Sequence, residues 1–340
     1  MQVTPSTART SEPEPPVQAL LLCQAGGRFG LGHLSRSSAV ASQASSVPIP
    51  VAVHLEGKIE EPVSESIATA GTPDAISKML EHLRPTVLIV DGIDLELNHL
   101  LAVGDSQACV LLSPMLETPS VPTLHVHRSI SNSTRWNPKS DDIVASGLHL
   151  AVVPEYVTRL VEAEGRARME TAEAFQLGIA GGLVPSKELI DEVWDQIELH
   201  EDLTGASMVV TTATHRTLGT DLLRRFERRI LIHEIPSNSP WETLSHVHRV
   251  VSSGGQSLIE SVVLGLDTIA VATLPIQDAI VSELVGLGAC QHHGQGGRHS
   301  CAAGCRVPVR ERSIDPFGSI RVRRQIDEFI RNFARNHDVG

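Results

Sequence analysis

Two short stretches of this chain place reactive side chains beside glycines. The first is Gly30-Leu31-Gly32-His33-Leu34-Ser35-Arg36. Glycines let backbone approach a ligand closely, and a helix starting there would turn its free N–H groups toward an anion. His33, near that helix start, can take a proton at neutral pH, and Arg36 adds a permanent positive charge. The plainer alternative is a strand–helix turn with a capping histidine. The stretch is not a dinucleotide fingerprint, because Ser35 stands where the third glycine belongs, and no Gly-Lys-Ser/Thr follows to make a phosphate loop.

The second stretch is Ser252-Ser253-Gly254-Gly255-Gln256-Ser257-Leu258-Ile259-Glu260. Backbone N–H groups of Gly254, Gly255 and Gln256, with the Ser257 hydroxyl, would suit a diphosphate. Glu260 falls about one turn into the following helix and could accept from a ribose diol. A capping box, in which Glu260 caps Ser257, fits the same spacing.

The elements that would hold these residues read as alternating strands and helices. Apolar runs at Val17–Cys23, Val51–Leu55, Thr86–Val90 (ending at Asp91) and Ala108–Leu112 predict strands. Helical spacing lies between them at Leu34–Ala44, Pro73–Leu83 and Leu95–Val103. After a charged segment at Val157–Glu173, read as an exposed helix or linker, the alternation resumes. Strands are expected at Phe175–Ile179, Ser207–Thr211, Arg229–His233, Val247–Ser252 and Thr268–Ala272. Helices are expected at Lys187–Ile197, Leu218–Arg228, Trp241–His246, Gln256–Leu264 and Asp278–Leu287. Strands that are apolar on both faces and alternate with helices imply parallel sheets in an α/β architecture. The expected organisation is a disordered leader (1–17), an N-terminal Rossmann-like domain (18–165) and a second one (174–312). A C-terminal amphipathic helix follows within 313–340. Two such domains would face each other across a cleft.

The chain has 340 residues, a length that suggests about two domains. Its net charge of −12 argues against coating nucleic acid or an anionic membrane, and 3% aromatic residues are a poor stock for base stacking. The five cysteines are odd in number and scattered, unlike a secreted disulfide framework. No apolar run reaches the length of a membrane span, and the first residues lack the features of a signal peptide, so a cytoplasmic protein is expected.

The chemistry-bearing stretches also resemble a family. Gly30 to Arg36 looks like the Gly-x-Gly-His-x-x-Arg motif of the UDP-sugar hydrolases of pseudaminic acid synthesis (PseG) and the related spore-coat polysaccharide proteins (SpsG). Ser253 to Glu260, continuing through Leu264-Gly265 and Gln277, resembles their Ser-x-Gly-Gly-Ser/Thr-x-x-x-Glu block. Pro154-Glu155-Tyr156, Gly181-Gly182 and Ile314 to Val322 resemble further segments in the same order, so the likeness runs from residue 18 to 335. The chain departs from the pattern at Asp91-Gly92-Ile93, which lacks the family's Tyr, and at Ser113-Pro114, where an Asp pair is usual. It departs again at Ile276-Gln277, in place of Asn-Gln, and at Gly181 to Pro185. The wider group includes the lipid II N-acetylglucosaminyltransferase.

The resemblance implies a GT-B-like fold of two Rossmann-type, doubly wound domains around a central cleft. It implies hydrolysis of a UDP-activated amino or deoxy sugar with inversion, His33 being the catalytic base. A glycosyltransferase and a non-catalytic nucleotide-sugar binder are the alternatives. The residues implied in binding are Gly30, Gly32, Arg36, Asp91, Ser253, Gly254, Gly255, Gln256, Ser257, Glu260 and Gln277, with a UDP-sugar as the partner. No cofactor and no metal is expected. Cys290, His292, His293, His299, Cys301 and Cys305 raise the question of zinc, but only Cys301 and Cys305 have ligand-like spacing, so a flexible loop is expected. His125 and His127 alternate on a strand-like run and are read as core or surface histidines.

Overall fold

A computed structural model describes residues 19–26, 31–56, 67–70, 72–113, 117–128, 138–164, 175–180, 186–200, 206–236, 240–294 and 314–337. The leader, Gly30, Pro114, Gly181-Gly182, His299, Cys301 and Cys305 lie outside these residues.

The first half runs β1 (Ala19–Gly26), α1 (Gly32–Ala41), β2 (Val51–Glu56), β3 (Ile67–Ala70), α2 (Pro73–Leu83), β4 (Val87–Asp91), α3 (Leu97–Val103), β5 (Ala108–Leu111), β6 (Thr123–His127) and β7 (Ile143–Ser146). All of these strands pair in parallel, in the order β3-β2-β1-β4-β5-β6-β7. Every residue of β1 and β4 is buried, as strands covered by helices on both faces must be. The sheet is wider than the four strands expected. β3, β6 and β7 are short, and β6 and β7 mix polar with apolar residues (Thr123-Leu124-His125-Val126-His127 and Ile143-Val144-Ala145-Ser146), so none makes a continuous apolar run.

The second half runs α4 (Glu155–Glu164), β8 (Gln176–Ala180), α5 (Lys187–His200), β9 (Ser207–Thr211), α6 (Thr212–Leu218), α7 (Thr220–Glu227), β10 (Leu231–Ile235), α8 (Trp241–Leu244), β11 (Arg249–Ser253), α9 (Gln256–Val263), β12 (Thr268–Val271), α10 (Asp278–Gly286) and β13 (Gln291–His292), and α11 (Gly318–His337) closes the chain. Its parallel sheet has the order β10-β9-β8-β11-β12-β13. The two doubly wound parallel sheets are the two-domain α/β arrangement expected of a GT-B-like fold.

Packing differs from the sequence reading at α4. Val157 and Val161, one turn apart, are buried in a core with Trp241, Leu244, Val250 and Leu258, so the helix covers the second sheet instead of lying exposed between domains. The change of core falls within a few residues: Leu150 and Val152 pack with the first sheet, Ala151 and Val153 with the second. That alternation favours a division near 151–153 over one after 165. The last helix then returns to the first unit, where Val322, Ile326, Phe329, Ile330 and Phe333 join the core of β1 and β4. Gly318 makes this return possible. A Cβ built there would lie 2.0 Å from the Ala151 carbonyl oxygen, so only glycine lets α11 start against that backbone.

Both sheets reverse their winding at an inner strand pair, β1/β4 in the first and β8/β11 in the second. The carboxyl ends of strands at such a reversal leave a crevice where ligands bind in open α/β sheets. The two chemistry-bearing stretches follow β1 and β11, and so sit at these two places.

Candidate active site

The β1–β4 register sets Cys23 beside Asp91, which puts Asp91 at the carboxyl end of β4 next to the loop entering α1. Asp91 is fully buried. Its Oδ2 accepts from Arg36 Nε (2.8 Å) and the Ser37 hydroxyl (3.1 Å), and its Oδ1 accepts from the Ser113 hydroxyl (2.9 Å) and Arg36 Nη2. His33 Nδ1 lies 2.7 Å from the same Oδ1. Arg36 Nη2 also donates to Ser113 Oγ at 2.6 Å. Burial pushes the Asp91 carboxyl up, but Arg36 and His33 together outweigh it and hold it well below the usual carboxylate range.

His33 Nδ1 faces both this carboxylate, which only accepts, and Arg36 Nη2 at 3.0 Å, which only donates; the tautomer with its hydrogen on Nδ1 is the one that bonds to Asp91. In that tautomer Nε2 keeps its lone pair, the form a general base needs, and the contacts to Asp91 and Arg36 fix the ring's orientation. His33 is 15% exposed, whereas Asp91 is completely enclosed. Arg36 and Asp91, expected to touch ligand, are therefore bonded mainly to each other and serve to orient His33. Ser113, which stands where the resembling family has an acidic pair, completes this network.

Across the cleft, β11 runs into Ser253-Gly254-Gly255 and then α9. Here the expected donors are corrected. Gly254 N–H donates to Val271 O (2.8 Å) and Gly255 N–H to Ser253 O (2.8 Å), so the turn has already used both. The N–H groups without intrahelical partners are those of the first turn of α9, beginning at Gln256 and Ser257. Glu260 does not cap Ser257 either. It accepts from Trp241 Nε1 (2.5 Å) and Gln256 Nε2 (3.0 Å). Burial lifts its carboxyl to about 7, more than these two donors and nearby Arg128 bring it down. Gln277 Oε1 accepts from Thr273 N–H (2.8 Å), Thr273 Oγ1 (3.0 Å) and Leu274 N–H (3.3 Å), so that end of Gln277 shapes the turn before α10.

The two stretches meet through Gln256. Its amide donates to Val152 O (2.8 Å), and its Oε1 accepts from Arg128 Nη1 (3.1 Å). A Cβ on Gly32 would lie 3.1 Å from Gln256 Cβ, so the glycine lets the start of α1 close on the start of α9. Ser253 is buried at the floor of the turn, and Ser257 is partly buried beside it. Arg128, directly after β6, went unnoticed in the sequence because no local motif surrounds it; only the fold brings it to α9.

His125 and His127 are both buried and their rings stack at 5.8 Å, with His125 Nε2 3.1 Å from Asp142 Oδ2. Cys290 is buried in the second core. Among the described residues no group of three His, Cys, Asp or Glu side chains is placed to hold a metal ion, and no helix is long and apolar enough to cross a membrane.

No family model matches the chain, and no curated protein matches it. Solved structures do. MnaA from S. aureus in complex with UDP aligns over 92% of this chain and 97% of its own, with a TM-score of 0.56 at 10% identity. The UDP-GlcNAc 2-epimerase from Neisseria meningitidis bound to UDP-GlcNAc covers 92% of each chain with a TM-score of 0.54 at 11% identity. The corresponding enzyme from Methanocaldococcus jannaschii, in complex with UDP-GlcNAc and UDP, covers 91% and 99% with a TM-score of 0.53 at 12% identity. At such identities the likeness concerns the fold, and it extends over both halves of the chain.

Proposed function

We propose that the chain is a UDP-sugar enzyme that moves the glycosyl group to an acceptor hydroxyl. His33 Nε2 takes the acceptor proton, the acceptor oxygen attacks the anomeric carbon, and the bond to the diphosphate breaks on the opposite face. The electron pair leaves with UDP, and the anomeric configuration inverts. The first turn of α9, held against α1 by Gln256, faces the departing negative charge. The observation that carries this reading is the partly exposed His33 bonded to the buried Asp91 at the winding reversal of one sheet, directly opposite the glycine turn at the reversal of the other.

Hydrolysis, the activity implied by the sequence resemblance, is the special case in which the acceptor is water. The solved structures named above hold UDP or UDP-GlcNAc, which supports a UDP-sugar as the ligand for either acceptor. Product analysis decides between them. The chain is incubated with a panel of UDP-sugars, with and without sugar acceptors, and the products are separated. Turnover only with acceptor supports transfer. Free reducing sugar without acceptor returns the activity to hydrolysis, and an altered sugar still joined to UDP overturns both. His33→Ala should lower turnover by about 10²–10⁴-fold, the usual worth of a general base. An unchanged rate would remove His33 from the mechanism.

A further inference from the structure

The site described above lacks one thing that a departing diphosphate needs. The glycine N–H groups of the β11–α9 turn are already bonded to Val271 O and Ser253 O. Arg36, a cation expected there, is tied to Asp91 and Ser113. What remains is Arg128. It sits at the carboxyl end of β6, on the opposite unit from α9, and its Nη1 donates to the neutral Gln256 side chain. Among the described residues it forms no ion pair with a carboxylate. Asp91 and Glu260 are near enough to be felt, but the first is saturated by other donors and the second is bonded to Trp241 and Gln256.

Arg128 is partly buried, and a guanidinium partly withdrawn from water against a neutral amide gains most from a group of opposite charge. Burial pushes Arg128 down to about 9, with Arg36 acting in the same sense. The groups facing it are Gln256 at the start of α9 and, further in, Glu260. The space between β6 and α9 is therefore bounded by a cation from one unit and a helix N-terminus from the other.

We infer that Arg128 is the cation that binds the diphosphate of the nucleotide-sugar, and that Gln256 holds its guanidinium in place until the ligand arrives. This rests on the functional reading above. Ligand entry exchanges the Gln256 contact for charge-assisted bonds to phosphate oxygens, which a planar guanidinium can make in pairs. No covalent step passes through Arg128; it neutralises charge that grows on UDP as the glycosyl bond breaks. The same residue couples the two units, since its strand belongs to the first sheet and its ligand sits on the second.

The test compares wild-type chain with Arg128→Gln by calorimetric titration of UDP and ligand-detected NMR of uridine, with the melting midpoint recorded for each. Arg128→Gln is expected to bind UDP roughly 10- to 100-fold more weakly, the worth of a charged hydrogen bond, and to bind uridine as before. Unchanged UDP affinity overturns the assignment while leaving the functional reading intact. Loss of uridine binding together with UDP binding makes the role structural and also overturns it. If Arg128→Gln does not fold, Arg128→Lys carries the test: weaker UDP binding with uridine binding kept supports the inference, and unchanged UDP binding counts against it. A wild-type chain that binds neither ligand overturns the functional reading, and this inference with it.

Discussion

Asp91 shows how far one residue's work can lie from its own neighbourhood in sequence. The histidine and arginine of the first stretch were legible because they lie three residues apart on one helix. Their orienting carboxylate is 58 residues from His33, and only the pairing of β1 with β4 brings it there. Asp91→Asn removes a buried negative charge and leaves Arg36 without its counter-ion. It should cost about 3–5 kcal/mol of stability, measured by urea unfolding, besides releasing the His33 ring. Glu260 gives a second prediction. Its folded-state pKa is raised from 4.5 to about 7, so the fold favours the protonated acid. That contribution is complete below the unfolded value and is lost as pH rises through 7. His127 works in the opposite sense: burial lowers it to about 4, so its contribution is present above its ordinary value of 6.5 and is lost as pH falls. Comparison with Glu260→Gln isolates the first effect. Between pH 5 and 8 the variant should gain on wild type by up to about 3 kcal/mol. A difference that does not change with pH would mean that Glu260 stays ionised throughout.

At the scale of elements, the sequence announced those that bury a continuous apolar face and hid those that do not. β1, β4 and β9 are buried throughout, and α2 matches its expected span at Pro73–Leu83 because Thr72 caps it and Pro73 opens it. β7 lies at the sheet edge with Ile143 53% exposed, so packing imposes no clear pattern on it. α4 was misread for a related reason. Its buried side is little more than Val157 and Val161, and the charged residues around them dominate the composition. The start of α11 yields a sharp prediction. Gly318→Ala drives a methyl group into the Ala151 backbone, which must yield or push the helix off its bed. A loss of about 3 kcal/mol, at the upper end for overpacking, is expected in chemical unfolding. A neutral result would show that α11 can start elsewhere.

For the molecule as a whole, the alternation of strands and helices was enough to foresee two wound sheets, because that pattern repeats in each half. How the halves meet was not legible. Gln256 was read as one more residue of a nucleotide turn, yet it bonds to Val152 and Arg128 on one side and to Glu260 on the other. A ligand that binds only the folded chain raises its stability by about 2.7 kcal/mol at a hundred times its dissociation constant. UDP should therefore raise the melting midpoint, and Gln256→Ala should change that increment more than it changes the midpoint of the free chain. Equal changes in the two would make Gln256 a structural tie alone.

The return of α11 to the first sheet has a consequence for synthesis. Strands β1 and β4 leave the ribosome well before the five apolar side chains that seal one face of their core, which are encoded after the whole second sheet. The first unit must therefore wait, partly uncovered, while the whole second unit is made. A nascent chain halted before residue 318 should remain open to protease in its opening strands even after the second sheet has become resistant.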